Sequence, residues 1–535
     1  MKKLLSILMI ALALILMMFI ITSCSCGGGK PNDTDTDTDT DTDTNTDNSQ
    51  EDELIGPIRG ISKTEIIDGN LWVTYTDTPD APVDLGNMSS IGEADELTGL
   101  IFYPLGNDTY GVSCGSTKDA KSIEIPKTFK SKLVYAILPN GFKDCTSLES
   151  ISVPASVAVV DNSAFTGCLI KDATIPSVAL SLMPSTLETL SLVSGSDIGE
   201  KALSSFASLK SIEIPHSALY IHPKAFENCP NLAIINVAEN NPHYKSIDGN
   251  LYNQDAKGFI RYAQGKTATE FEIIHDVIFI SSYAFSGCNA LTSIVIPSNI
   301  SVIDPFAFTD CANLTSVTIA SSATKIWENA FTGCPIKEAI VPAKHIMSMP
   351  KDSVESITIN DNATVELFVL SSFPSLKSIL VNENNEHYQS IDGNLYSKDG
   401  KTLVQYAIGK TATSFEISNG VTEIGHCAFY GCSALESITI PNTVTSISSG
   451  AFGECVKLSS ITLPSSVTKI FAGAFYGCTS LTSLVIPNTV TNIMDGAFEN
   501  CTNIKFYCEA EEKPSGWSDD WNISSCPVEW GYKGE

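Results

Sequence analysis

Between residues 97 and 508, apolar side chains recur in one frame. Counting from Cys478 as zero, they fall at Leu481 (+3), Leu484 (+6), Ile486 (+8), Val490 (+12), Ile493 (+15), Ala497 (+19) and Phe498 (+20), and Cys501 restarts the count at +23. Counting from Cys455 gives Leu458, Ile461, Leu463, Val467, Ile470, Ala474 and Phe475; the frames from Cys432 and Cys288 are filled in the same way. A repeat of 20 to 50 residues marks a solenoid of stacked units. Within each unit, +6 and +8 are apolar while +5 and +7 are mostly Ser, Thr or Glu, the alternation of a strand with one buried face. Proline at +9 (Pro487, Pro464, Pro441) ends that strand because it has no N–H to donate. The later apolar places, spaced by three or four, predict an irregular or briefly helical return over the core. Stacking such coils about 4.8 Å apart aligns one strand per coil into a parallel sheet.

This frame, C-x-x-L-x-x-I-x-I-P-x-x-V-x-x-I-x-x-x-A-F-x-x-C, resembles the BspA-like leucine-rich repeat family of surface proteins. The resemblance implies an α/β-type repeat solenoid with a 23-residue module, a parallel strand per coil and little regular helix. For several members it also implies binding to host or bacterial surface proteins.

A longer repeat overlies the short one. Segment 382–417 repeats 239–273 at an offset of 144, whereas LSSFPSLKSI repeats LSSFASLKSI at 167. The two offsets differ by one 23-residue module, so a block of coils was duplicated and one copy lost the coil around Cys229. Val237 and Ile273 hold equivalent +8 places 36 residues apart, so 13 extra residues leave the coil there. Leu251-Tyr252 and Phe259-Ile260 flank a polar turn, as do Leu395-Tyr396 and Leu403-Val404. Hairpin excursions near 239–268 and 383–412, projecting from the solenoid, are therefore expected.

The ends break the frame. Residues 54–92 read as a small β-hairpin unit, and residues 97–110 begin an N-terminal cap of the solenoid spanning 97–508. Residues 509–535 carry Trp517, Trp521 and Trp530, apolar area enough to plug the last coil. In front of all this, Met1-Lys2-Lys3 and an apolar run to Ile21 have the form of an export signal, 1–23. Ile21-Thr22-Ser23-Cys24 resembles a bacterial lipobox, which implies lipidation of Cys24 and attachment to a membrane through acyl chains. The alternative is an uncleaved membrane helix, since about 18 apolar residues can just span a bilayer. Residues 24–53 form an Asp/Thr tether whose residues 33–53 include no apolar side chain, so the tract cannot offset its own ordering entropy. Either reading of the front end places the remainder outside the cytoplasm, in the cell envelope or at the cell surface. A formal net charge of -29 repels nucleic acid, which is excluded as a partner.

Ten cysteines occupy position zero: Cys145, Cys168, Cys229, Cys288, Cys311, Cys334, Cys432, Cys455, Cys478 and Cys501. Two modules place Phe206 and Phe373 there instead, so the place is apolar core rather than zinc or redox chemistry. Cys114, Cys427, Cys508 and Cys526 lie off this register, and Cys508 and Cys526 are a possible disulfide within the C-terminal cap. His243 and His387 are copies of one duplicated position, and no G-x-S-x-G, H-E-x-x-H or phosphate-loop motif occurs. No catalytic residue, metal site or cofactor is assigned, and the chain is not expected to be an enzyme.

The remaining candidate is the outward strand face at +5 and +7, represented by Ser293, Ser316, Thr318, Ser437, Thr439, Ser460, Thr462 and Ser483. A solvated sheet face explains that composition; a docking surface for extracellular or host surface proteins or glycans is the functional reading. A structural spacer or surface-layer component without a specific ligand is the alternative, and a cell-wall enzyme a more distant one.

Overall fold

The computed structural model describes residues 61–534 apart from 76–77, 88–91, 196, 321–324 and 367. The expected signal segment, Cys24, the tether and residues 54–60 lie outside the described residues. From Ser122 onward the chain winds as a parallel β-solenoid of about 18 turns with no α-helix among the described residues. The strand at +5 to +8 forms in nearly every coil of the frame; at 270–273 only the single bridge from Glu272 to Val295 remains. Ser293–Ile296 pairs in parallel with Ser316–Ile319, residue for residue, so each coil repeats the one before it at a single register. These strands assemble into successive sheets of six, five, three and three strands along one face of the coils.

The return is mostly irregular, and briefly helical in some coils, as expected, but it also contains a second short strand at +14 and +15: Val302–Ile303 pairs in parallel with both Phe279–Ile280 and Lys325–Ile326, and Ser446–Ile447 with Lys469–Ile470. Two residues are too few to show alternation in sequence. What holds them extended is the stacking, helped by hydroxyls at +13: Thr468 Oγ1 donates to the Thr445 carbonyl at 3.2 Å and Thr445 Oγ1 to the Thr422 carbonyl at 3.1 Å. Short 3-10 turns take the place of the return strand in two shorter coils, Ser177–Leu182 and its copy Ala343–Ser348, and the coil after Ser356–Ile359 has no return strand among the described residues but a 3-10 turn at Leu370–Ser372.

All eight apolar places of the frame face inward. In the coil from Cys478 to Phe498 none of them is more than 1% exposed. Burial of each large aliphatic or aromatic side chain contributes about 1.5–3 kcal/mol before entropy is counted, so the repeated coil is held mainly by this column of contacts. The +20 phenylalanines stack ring on ring: Phe429 to Phe452 at 5.1 Å, Phe452 to Phe475 at 5.2 Å and Phe475 to Phe498 at 5.1 Å. Just before three of the Ala-Phe pairs the backbone is left-handed at glycine, Gly450, Gly473 and Gly496, where a residue without Cβ is least strained. Tyr283 and Phe306 adopt the same conformation in two earlier coils, stacked 5.4 Å apart.

The duplication is visible in the coils. Four strands, Asp172–Pro176, Thr189–Ser194, Ser211–Ile214 and Ile234–Val237, precede the first hairpin, while Glu338–Val341, Ser356–Ile359 and Ser378–Val381 precede the second. The second copy is one coil shorter, as the offsets require.

The hairpins do not project. Tyr244–Ile247 pairs antiparallel with Asn250–Asn253, which pairs antiparallel with Gly258–Arg261, and this last strand joins the return sheet beside Phe279–Ile280. Leu251, Tyr252, Phe259 and Tyr262 are all buried. The segment is apolar on both faces, so burial on both sides within the stack wins over exposure to water. Its tip reaches the strand face, where the Ile235 N–H donates to the Gly249 carbonyl at 2.9 Å and Ser246 Oγ to the Ile235 carbonyl at 2.6 Å. The second copy repeats both bonds, from Ile379 N to Gly393 O and from Ser390 Oγ to Ile379 O. Each hairpin is thus a partition, and the solenoid interior consists of three successive cores.

At the N-terminus the expected hairpin unit is a three-stranded antiparallel sheet, Ile61–Ile67, Asn70–Tyr75 and Thr78–Asn87, turned at Asp68-Gly69. Its Leu71, Val73 and Leu85 pack with Leu105, Leu138 and Val159, so it joins the cap rather than standing alone. At the C-terminus Trp517 and Trp521 are buried against Phe498 and Phe506, closing the last core.

Candidate partner-binding face

The register places the eight sequence-selected residues in three groups. Ser293 lies opposite Ser316, which lies opposite Glu338, and Thr318 sits between Val295 and Ile340. Ser437 sits between Ser414 and Ser460, and Thr439 between Glu416 and Thr462. Ser483 belongs to the last sheet, opposite Lys505, and is not in a ladder with Ser460. Thr439, Ser460, Thr462 and Ser483 are exposed, while Ser293, Ser316, Thr318 and Ser437 are half-buried.

Small side chains leave room above the sheet. In the second group a recess of about 290 Å³ opens, lined by Ser437, Thr439, Ser460 and Thr462 together with Ile438, Ile440, Asn442 and Pro464. The hydroxyls are donors and acceptors at once, and the aliphatic neighbours supply apolar contact, so the recess can hold a ligand of mixed polarity. Asn442 and Pro464 were missed from sequence because they lie beyond the strand ends.

A second feature was also missed. Across the five-stranded sheet the +7 row reads Val295, Thr318, Ile340, Thr358, Leu380, with no charge. Val295 is 58% exposed, Ile340 37% and Leu380 42%. In the first six-stranded sheet the same row begins with Glu124 and includes Glu213. The aliphatic residues at +7 are the sequence signal for this row.

Charge on the face itself is sparse, as at Glu338 and Lys505 in the +5 row and Glu124, Glu213 and Glu416 in the +7 row, and ion pairs line the flank at +4. Glu149 and Lys171 stand 3.7 Å apart, Lys210 and Glu188 2.5 Å, and Lys377 and Glu355 2.7 Å. Hydrogen bonds from Lys210 and Lys377 hold the Glu188 and Glu355 carboxyls below the usual carboxylate range. Exposed pairs of this kind add little stability. They partly offset one another's charge along the flank.

The position-zero cysteines are 4% exposed or less, as are Phe206 and Phe373 in the same place. Cys508 and Cys526 are both free thiols, and the possible disulfide is not formed. They stand in different columns: Cys508 lies opposite Ile486 at the inner strand place, whereas Cys526 continues the thiol column, its Sγ donating to the Cys501 carbonyl at 3.0 Å. Cys114 is half-buried and packs against the first core. Among the described residues no group of three or more His, Cys, Asp or Glu is placed to hold a metal ion.

The BspA type leucine rich repeat region model matches residues 113–233, 185–256, 262–353 and 405–511, together more than half of the chain. The chain belongs to this leucine-rich repeat family. Among solved structures it is similar to a leucine-rich repeat protein from Eubacterium ventriosum, at 19% identity and a TM-score of 0.29, over 79% of this chain and 96% of that one. A leucine rich cell surface protein from Faecalibacterium prausnitzii aligns at 21% identity and a TM-score of 0.28, over 84% and 99% of the two chains. The pneumococcal vaccine antigen PcpA aligns at 17% identity and 0.34, over 89% of each chain. No curated protein matches the sequence.

Proposed function

We propose that this chain is a non-enzymatic binding module displayed at a bacterial surface, tethered by a lipid on Cys24, and that its strand face takes up an extracellular protein or glycan. The observation that carries the reading is the recess at Ser437, Thr439, Ser460 and Thr462, a shallow, half-open concavity on the outward strand face. The uncharged Val295, Ile340 and Leu380 row on the same face is the apolar surface that a partner's anchor residue requires. Membership in a leucine-rich repeat family supports a binding role, since stacked coils offer an extended surface.

Full-length protein immobilised through its C-terminus should retain saturable partners from extracellular matrix and from proteins of neighbouring bacteria. Absence of any saturable partner favours a spacer role instead. The anchor is tested separately: labelling of expressing cells with a radioactive or alkyne fatty acid should mark the wild type and not Cys24→Ala.

A further inference from the structure

The middle strand of each hairpin begins with an asparagine whose amide is only half satisfied. Asn250 and its copy Asn394 are fully buried, and in both the side-chain Nδ2 has no hydrogen-bond partner among the described residues. A buried donor left unpaired is costly, and both copies bear that cost. The amide oxygen, by contrast, is held: the Ala263 N–H donates to Asn250 Oδ1 and the Ala407 N–H to Asn394 Oδ1, each at 3.1 Å. Three residues further on stands a lysine whose ammonium donates back to the hairpin turn, Lys266 to the Asp248 carbonyl and Lys410 to the Asp392 carbonyl. In the second copy the lysine reaches the amide itself. Lys410 Nζ lies 2.6 Å from the Asp392 carbonyl oxygen and 2.9 Å from Asn394 Oδ1.

We propose that Lys410 and Asn394 form an intramolecular isopeptide bond, from Nζ to Cγ, with loss of ammonia. Nucleophile and electrophile are already in contact, which lowers the entropic barrier to their reaction. Rotation about the last lysine torsions carries Nζ from the amide oxygen to the amide carbon. Burial lowers the basicity of Lys410 against the opposing pull of Asp392, so the neutral amine that must attack is nearer to hand than on an exposed lysine. The Ala407 N–H points at the oxygen on which negative charge gathers in the tetrahedral intermediate. The step balances without a co-reactant: the Nζ lone pair forms the N–C bond, the Cγ–Nδ2 bond breaks, and a proton from Nζ leaves with Nδ2 as ammonia. Nothing is oxidised or reduced. The product also relieves the site, since the orphan Nδ2 is gone and the remaining Nζ–H still donates to the Asp392 carbonyl. The link closes residues 394–410 into a ring and staples the partition between the second and third cores.

The test is peptide mapping of folded full-length protein by mass spectrometry. The segments holding Asn394 and Lys410 should appear as one branched peptide, lighter than the sum of the two by one ammonia, and trypsin should no longer cut after Lys410. Lys410→Arg, which keeps the charge and removes the nucleophile, should restore two linear peptides, as should Asn394→Ala. Linear peptides carrying unmodified Lys410 and Asn394 as the main species of the folded wild type overturn the proposal, and so does a branch joining Lys410 to any residue other than Asn394. The wild-type map needs no variant, so it stands even where a substitution prevents folding.

Discussion

Leu251 and Tyr252 are neighbours in one strand, yet they lie in different hydrophobic cores: Leu251 closes the first and Tyr252 opens the second. Leu395 and Tyr396 repeat the arrangement between the second and third. Each inserted hairpin is a wall with one face in each compartment, so the compartments can lose stability independently.

Leu251→Ala should therefore cost about 2–5 kcal/mol, felt mainly in the first core. Hydrogen exchange should show lost protection in coils up to Ile235 with little change beyond Phe429. Uniform loss along the chain would mean that the walls do not divide cooperativity.

Arg261 is buried near Cys229 and Cys288, with no ion pair to a carboxylate among the described residues; its guanidinium donates to the Tyr283 carbonyl and to the Ser286 carbonyl at 3.1 Å. The duplicate coil holds Gln405, which donates to Tyr406 and Ala428 carbonyls at 3.0 and 3.2 Å. Arg261→Gln should be neutral or stabilising in urea denaturation, because it removes a buried charge and keeps the donors. Arg261→Ala should cost about 1–3 kcal/mol by leaving carbonyls unpaired.

Two glycines separate two kinds of constraint. At Gly409 an added Cβ would stand 2.3 Å from the Ser375 backbone, whereas at Gly473, with φ of 63°, the nearest atom is 3.8 Å away. Gly473→Ala should cost about 1–2 kcal/mol of backbone strain. Gly409→Ala should cost more, since backbone must move. Equal thermal shifts would contradict that ranking.

High pH should unfold the solenoid. Burial pushes the Cys288, Cys427 and Cys508 thiols up to about 12 from an ordinary value of 9, and Tyr252, Tyr262 and Tyr406 up to about 12 from 10. The unfolded chain loses these protons first, so it binds fewer of them across that window. Stability is thus fully present below pH 9 and falls as the pH rises towards 12. Urea midpoints measured from pH 7 to 11 should hold and then decline; a midpoint that climbs would show the thiols and phenols ionised in the fold.

The coil was legible because each inward place repeats many times: Cys478, Leu484, Ile486, Pro487 and Val490 specify the strand, its stop and the core. The return strand was not, since the pair Ser446–Ile447 is too short to carry a period. The hairpins were found but misplaced, because Leu251 and Tyr252 show that both faces are apolar without showing what covers them. On the face, Ser437 and Thr439 could be picked by position, but Asn442 and Pro464 come to the recess only through the stacking of two coils.

The most direct measurement is the affinity of a captured partner for the full-length protein and for a variant with Ser437, Thr439, Ser460 and Thr462 all changed to Lys. These side chains point outward, so circular dichroism and the thermal midpoint should be nearly unchanged. Binding through the strand face predicts that affinity falls by at least 100-fold, about 2.7 kcal/mol. Undiminished affinity in a folded variant would contradict the placement of the site.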